Sequence, residues 1–219
     1  MAIRILLADD HGIVRNGLRS LIEKQANSEM KVIAEAENGR IAVQLASELR
    51  PDIIIMDISM PDLNGMEASR QILDKHPGIK ILGLSMHSNR RFVADMLSAG
   101  VCGYMLKESL FDELILAIRT IMTGDTYLSP RITGVVIEDY ISRLAKGETS
   151  HSDVLTGRER EVLQLLAEGK STKQIAGQLH VSVKTIESNR RQIMNKLGID
   201  SIAELTKYAI REGLTSLEP

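Results

Sequence analysis

Short apolar runs alternate with stretches of helical spacing along the first 122 residues. The runs Ile3–Ala8, Lys31–Ala34, Ile53–Met56, Ile79–Leu84 and Gly103–Leu106 are continuous rather than alternating, the pattern of strands buried on both faces of a parallel sheet. Between them apolar positions recur at helical spacing. In His11–Gln25 the stripe is Ile13, Gly17, Leu18, Leu21 and Ile22, and Arg40–Leu49, Met66–Lys75, Arg90–Ala99 and Leu110–Met122 behave alike. Five strand–helix units in succession predict an α/β domain with a doubly wound, five-stranded parallel sheet. Past Gly124, TYLSP breaks at Pro130. Ile132–Leu144 has helical spacing, with Val136, Tyr140 and Leu144 on one stripe, and AKGETSHSD is small, polar and expected to be flexible. Leu155–Leu214 carries no strand pattern and reads as four short helices. The expected organisation is a domain over 1–123, a linker with an amphipathic helix over 124–152, and a small all-α domain over 153–219.

Composition narrows the function classes. With 43% hydrophobic and 26% charged residues the chain can bury real cores, which excludes disorder over its whole length. No apolar run approaches the roughly 18 residues of a membrane helix, and the opening MAIRILLADD turns acidic where a signal peptide would still be apolar. A cytoplasmic protein without membrane contact is therefore expected. The lone cysteine, Cys102, excludes an intramolecular disulfide and reads as a core thiol before a buried strand, and with only five histidines a structural zinc site is disfavoured. The absence of tryptophan argues against base stacking on aromatic platforms. A net charge of −2 conceals a local excess: between residues 170 and 196 six basic side chains face Glu187 alone, a stripe where a polyanion would bind.

The strand ends carry the first candidate chemistry. The first strand runs into Asp9 and Asp10, the third into Asp57, the fourth into Ser85 and the fifth into Lys107. In a parallel sheet these ends share one edge, where such folds bind ligands. A strand-end aspartate alone commonly caps the next helix. Three carboxylates, a hydroxyl and an ammonium at matching ends instead suit Mg²⁺ and attack by a carboxylate on a phosphoryl group.

These residues, with IIIMDISMPDLNGME around Asp57, ILGLSMH around Ser85 and GYMLK around Lys107, make residues 1–122 resemble the receiver domain of bacterial two-component response regulators. The resemblance implies that Asp57 accepts a phosphoryl group from a sensor histidine kinase. It assigns Mg²⁺ (or Mn²⁺) to Asp10, Asp57 and the Ser59 backbone carbonyl, with Asp9 acting through water. Lys107 would meet the phosphoryl oxygens, Ser85 and Tyr104 would be the switch pair, and Ser59 and His87 would flank the incoming donor, with His87 expected as an exposed loop residue.

In LTGREREVLQLLAEG, Thr156 and Glu159 have capping-box spacing and Gly169 stops the helix. Ser171 or Thr172 can cap Lys173–Leu179, HVS forms a turn, and Ser182 caps Val183–Leu197: a helix-turn-helix. At 100° per residue Ile186, Ile193 and Leu197 fall within about 20° of one line, while Lys184, Ser188, Arg191 and Asn195 lie opposite. One face is core; the other is polar, basic and fits a major groove. Arg191, Ser188 and Glu187 are the base-reading candidates, and Lys173, Lys184 and Thr185 the phosphate-side ones.

The stretch from Leu155 to Ile199 resembles the LuxR-type DNA-binding domain, departing at Asn189 from the histidine often found there. Joined to a receiver, it resembles a response regulator of the NarL/FixJ class. That implies a transcription regulator binding double-stranded DNA, a homodimer when phosphorylated, whose unphosphorylated receiver covers the recognition helix. Two other readings stand beside it. A haloacid-dehalogenase-like phosphatase would share the aspartate nucleophile and Mg²⁺, but needs a second aspartate where Ser59 stands. A phosphorylation-independent DNA binder would use the first domain only to dimerise. The leading expectation is no enzyme beyond self-phosphorylation and self-dephosphorylation at Asp57.

Overall fold

The computed structural model describes residues 2–26, 28–86, 90–146 and 154–215. The chain divides into two units, Met1–Glu148 and Thr149–Pro219. In the first, the apolar runs form β1 (Ile3–Ala8), β2 (Met30–Ala36), β3 (Ile53–Asp57), β4 (Lys80–Ser85) and β5 (Gly103–Leu106). Between and after them lie α1 (Gly12–Gln25), α2 (Gly39–Leu49), α3 (Gly65–Lys75), α4 (Arg90–Ser98) and α5 (Leu110–Met122). Every strand pair is parallel, in the order β2-β1-β3-β4-β5 with one further strand beyond β5. Every residue of β3 is buried because helices cover both faces of the sheet. Leu18 and Ile22 of α1 pack with Leu114 and Ile118 of α5 on one face; Ala42, Ile72 and Val93 of α2, α3 and α4 pack on the other. Cys102, expected in the core, is half-buried at the edge of the α1–α5 cluster.

Among the described residues the sheet has six strands rather than the five expected. The sixth, β6 (Tyr127–Leu128), is two residues long and so leaves no periodicity in the sequence. It lies parallel to β5, with Gly103 opposite Tyr127 and Tyr104 opposite Leu128. A Cβ at Gly103 would stand 2.8 Å from the Tyr127 carbonyl oxygen, so the approach needs a glycine there. The segment expected as linker thus begins as an edge strand and continues as α6 (Pro130–Lys146), whose Ile132 is buried in the α2–α3–α4 cluster. That part of the chain is built onto the sheet, because burying the apolar stripe of an amphipathic helix outweighs leaving it solvated. The side chains of Tyr140 and Leu144, and most of AKGETSHSD, lie outside the described residues.

The second unit is α7 (Gly157–Ala167), α8 (Thr172–Gln178), α9 (Val183–Leu197) and α10 (Ile202–Arg211). Thr156, Ser171, Ser182 and Ser201 each accept a hydrogen bond from the backbone N–H three residues on, satisfying a free helix donor. Val162, Leu166, Ile175, Ile186, Ile193 and Leu205 close one core. Among the described residues, no helix is long and apolar enough to cross a membrane.

Candidate functional site

The strand order reverses between β1 and β3, and the ends of those strands bring Asp9 and Asp57 to the crevice where ligands bind in open α/β sheets. Lys107, in the 3-10 turn after β5, reaches back to bridge them. Its Nζ stands 2.7 Å from Asp9 Oδ2 and 2.9 Å from Asp57 Oδ2. Asp57 is 2% exposed. Burial and the neighbouring Asp9 charge push its carboxyl up to about 6, against the pull of Lys107 and of the Ser59 N–H donating to Oδ1 at 3.3 Å. Burial pulls Lys107 down, but the carboxylates of Asp57 and Asp9 outweigh it and hold the ammonium above the ordinary lysine range. The group is ionised and committed to this rim.

Ligand atoms of Asp9, Asp10, His11 and Asp57 all lie within 4.8 Å of one another. Three carboxylates against one lysine leave a negative, oxygen-rich cluster, a donor set that fits a hard divalent cation such as Mg²⁺. His11 Nδ1 stands 2.7 Å from Asp10 Oδ1, and the His11 N–H donates to Asp9 Oδ1 at 2.8 Å. Sequence reasoning passed over His11, although it follows the aspartate pair directly. Arg15 fixes the strand end by donating to the Asp9 carbonyl at 2.6 Å, and is itself paired with Glu35, whose carboxyl burial raises but Arg19 and Arg15 together hold low.

Gly65 is a second residue that spacing did not reveal. A Cβ there would stand 1.9 Å from the Asp57 carbonyl oxygen. The N–H of Gly65 donates to Ile58 O at 2.9 Å, so α3 starts against the backbone beside Asp57. Its local signal is the Asn64–Gly65 pair, Asn64 being the cap of α3.

Ser85 and Tyr104 meet. Gly83 pairs with Tyr104 and Ser85 with Leu106, so Tyr104 and Ser85 point to the same side of the sheet, with no side chain at Gly83 between them. Tyr104 is fully buried and hydrogen-bonded to Ser85; burial pushes its phenol up to about 12 despite that bond. Ser59 is exposed beside Asp57, and His87 lies outside the described residues.

In the second unit, Lys184, Thr185, Glu187, Ser188 and Arg191 all face solvent on α9, and Lys173 faces solvent in the first turn of α8. Of the six cations between residues 170 and 196, two are used inside the unit. Lys196 pairs with Glu159 at 2.7 Å, and Lys170 meets Glu168 at 3.5 Å. Lys173, Lys184 and Arg191 form no ion pair among the described residues. Thr185 is partly engaged, its hydroxyl 2.8 Å from Ser182 Oγ. Val183, which the wheel did not single out, is 40% exposed in the first turn of α9, the end that meets base edges in helix-turn-helix proteins.

Comparison with known proteins agrees with this geometry. Residues 5–119 match the response regulator receiver domain, and residues 153–209 match the bacterial regulatory proteins of the luxR family. The oxygen regulatory protein NreC of Staphylococcus aureus is 38% identical over 216 residues, covering 97% of this chain and 99% of that protein. A LuxR-family two-component response regulator from Aurantimonas sp. SI85-9A1 superposes with a TM-score of 0.61 at 38% identity, over 64% of this chain and 99% of that one. The RcsB response regulator of Salmonella typhimurium, solved in a study of its DNA interaction, gives a TM-score of 0.59 at 28% identity, over 94% and 97% of the two chains. With a receiver unit carrying the acidic rim and a helix-turn-helix unit carrying the basic face, the chain belongs to the LuxR family of two-component response regulators and is a transcription regulator.

Proposed function

We propose that a sensor histidine kinase phosphorylates this regulator at Asp57, and that the phosphorylated form binds double-stranded DNA as a homodimer in the cytoplasm. The observation that carries the reading is Lys107 bridging Asp9 and Asp57 at the sheet's switch point. An Asp57 carboxylate oxygen attacks phosphorus as the P–N bond to the kinase histidine breaks. The imidazole nitrogen leaves with the electron pair and is reprotonated by solvent. Lys107 shifts from the carboxylates to the new phosphoryl oxygens, and the Ser85 hydroxyl donates to one of them. Asp10, Asp57 and the Ser59 carbonyl, with Asp9 through water, would hold Mg²⁺ or Mn²⁺, which supplies charge neutralisation at the transferring group. No separate substrate is turned over, since Ser59 stands where a haloacid-dehalogenase-like phosphatase needs its acid. The test is intact mass after acetyl phosphate and Mg²⁺. One phosphoryl adduct, absent in Asp57→Asn, is expected; catalytic turnover, or an undiminished adduct on Asp57→Asn, overturns the assignment.

On DNA, Arg191, Ser188 and Glu187 read base edges while Lys173, Lys184 and Thr185 meet phosphates. Each bound phosphate releases counterions, so the two phosphate-side cations, Lys173 and Lys184, which form no ion pair among the described residues, give a slope of log affinity on log salt of roughly −2 per protomer. A flat salt dependence would refute this interface. Phosphorylation relieves cover of the recognition helix by the receiver, so phosphorylated protein and a 150–219 fragment should both bind one operator fragment more tightly than the unmodified chain. Equal affinities would refute the relief.

A further inference from the structure

Strand β6 and the first turn of α6 are attached to the switch tyrosine twice over. The backbone attachment runs along β5: Tyr127 N–H donates to Cys102 O at 3.1 Å, and Ser129 N–H donates to the carbonyl of Tyr104 at 3.1 Å. The Ser129 carbonyl then accepts from Ile132 and Thr133 at 2.9 and 3.0 Å, opening α6. The side-chain attachment is Ile132, fully buried in the same cluster as the Tyr104 ring, Val93 and Met96, with Val136 packed against it. Helix α6 packs on both α4 and β5. With the sheet edge closed by β6 and this face closed by α4 and α6, a Tyr104 ring turned outward would need the room that the first turn of α6 holds.

We propose that α6 is a conditional clamp, docked on the α4–β5 face while Tyr104 is turned in and bonded to Ser85, and released when the ring turns out. The proposal deepens the phosphorylation reading and rests on it for its trigger. The Ser85 oxygen can donate its one proton to a phosphoryl oxygen on Asp57 while accepting from the Tyr104 hydroxyl. The two bonds reinforce each other, so phosphorylation holds the ring in and α6 down. The docked state is also marginal. Ser129 Oγ is buried without a hydrogen-bond partner among the described residues, a cost removed whenever α6 lifts and water reaches it. Since α6 is the last described element before the DNA-binding unit in the chain, its docking is a change the second unit can feel.

Hydrogen exchange by mass spectrometry on the full-length protein tests this, read over residues 127–138 with and without acetyl phosphate and Mg²⁺, beside the intact mass. Phosphorylation should slow exchange in that segment several-fold. Ile132→Ala, modified to the same extent, should exchange fast in both states. Ser129→Ala, which deletes the unpaired hydroxyl, should exchange slowly even unmodified. Tyr104→Phe, which keeps the ring and loses the bond to Ser85, should exchange faster than wild type without any phosphorylation. Unchanged exchange in a wild-type protein whose mass shows the phosphoryl group, a wild-type response in Ile132→Ala, or no effect of Tyr104→Phe overturns the clamp. A mass without the phosphoryl group refutes the Asp57 reading instead, and the unmodified variants still decide the clamp.

Discussion

Replacing Asp57 by asparagine removes a carboxylate whose ionisation the fold opposes, and the cost of that ionisation can be worked from the structure. Burial and Asp9 move the group from 3.8 to about 6. Between those values the folded chain keeps a proton that the unfolded chain has lost, so stability falls as pH rises through the window, and above it the full cost persists. At about 1.4 kcal/mol per pKa unit, the cost at neutral pH is about 3 kcal/mol. Asparagine is nearly isosteric and uncharged, and Lys107 retains Asp9 as its partner. Asp57→Asn should therefore match wild type near pH 4 and exceed it by up to about 3 kcal/mol at pH 7. Millimolar Mg²⁺ should narrow the gap by stabilising the wild-type carboxylate. The assay is native-state hydrogen exchange of β3 and β4 amides in the full-length chain, which reads the first unit separately from the second. A stability difference that does not change with pH, or a wild type more stable than the variant at pH 7, would refute the argument that Asp57 is held at an energetic cost.

Gly65→Ala should cost about 1–3 kcal/mol by overpacking and sharply reduce phosphoryl labelling, because the new methyl meets the Asp57 carbonyl; normal labelling by acetyl phosphate would contradict the close approach. Lys196→Met should destabilise the second unit by about 1 kcal/mol at pH 7. Burial raises the Glu159 carboxyl, but Lys196 and the Thr156 cap outweigh it and hold it low. That contribution is present above pH 4.5 and lost as pH falls through the lowered value, so the gap to wild type should close on acidification in urea denaturation of the 150–219 fragment. His180 holds a left-handed backbone, φ 54°, in the turn before α9. His180→Gly should raise stability by about 0.5–1 kcal/mol and His180→Val should lower it, read by the same denaturation.

Much of this was legible before any coordinates. Runs such as Ile53–Met56 announce strands buried on both faces, and in a parallel sheet all such strands end on one edge. That Asp9, Asp57, Ser85 and Lys107 share one edge therefore follows from the common direction of the strands. The caps Thr156, Ser171 and Ser182 are equally local, since each acts on an amide three residues away. Strand ends moved by one or two residues, as β2 did, because a neighbour's hydrogen bonds set them. What the sequence could not give were relations between distant segments. Lys196 counts toward the basic stripe in sequence, yet the fold commits it to Glu159, 37 positions away. Ile132 belongs to a segment that reads as linker, yet it is buried in the same core cluster as Tyr104. The raised carboxyl of Asp57 depends on how completely water is excluded from the rim. Periodicity tells which face of an element is apolar, because that is fixed by backbone geometry within a few residues. Which partner covers the face, and which charges are desolvated there, is decided by packing across the whole unit, and only the tertiary structure determines it.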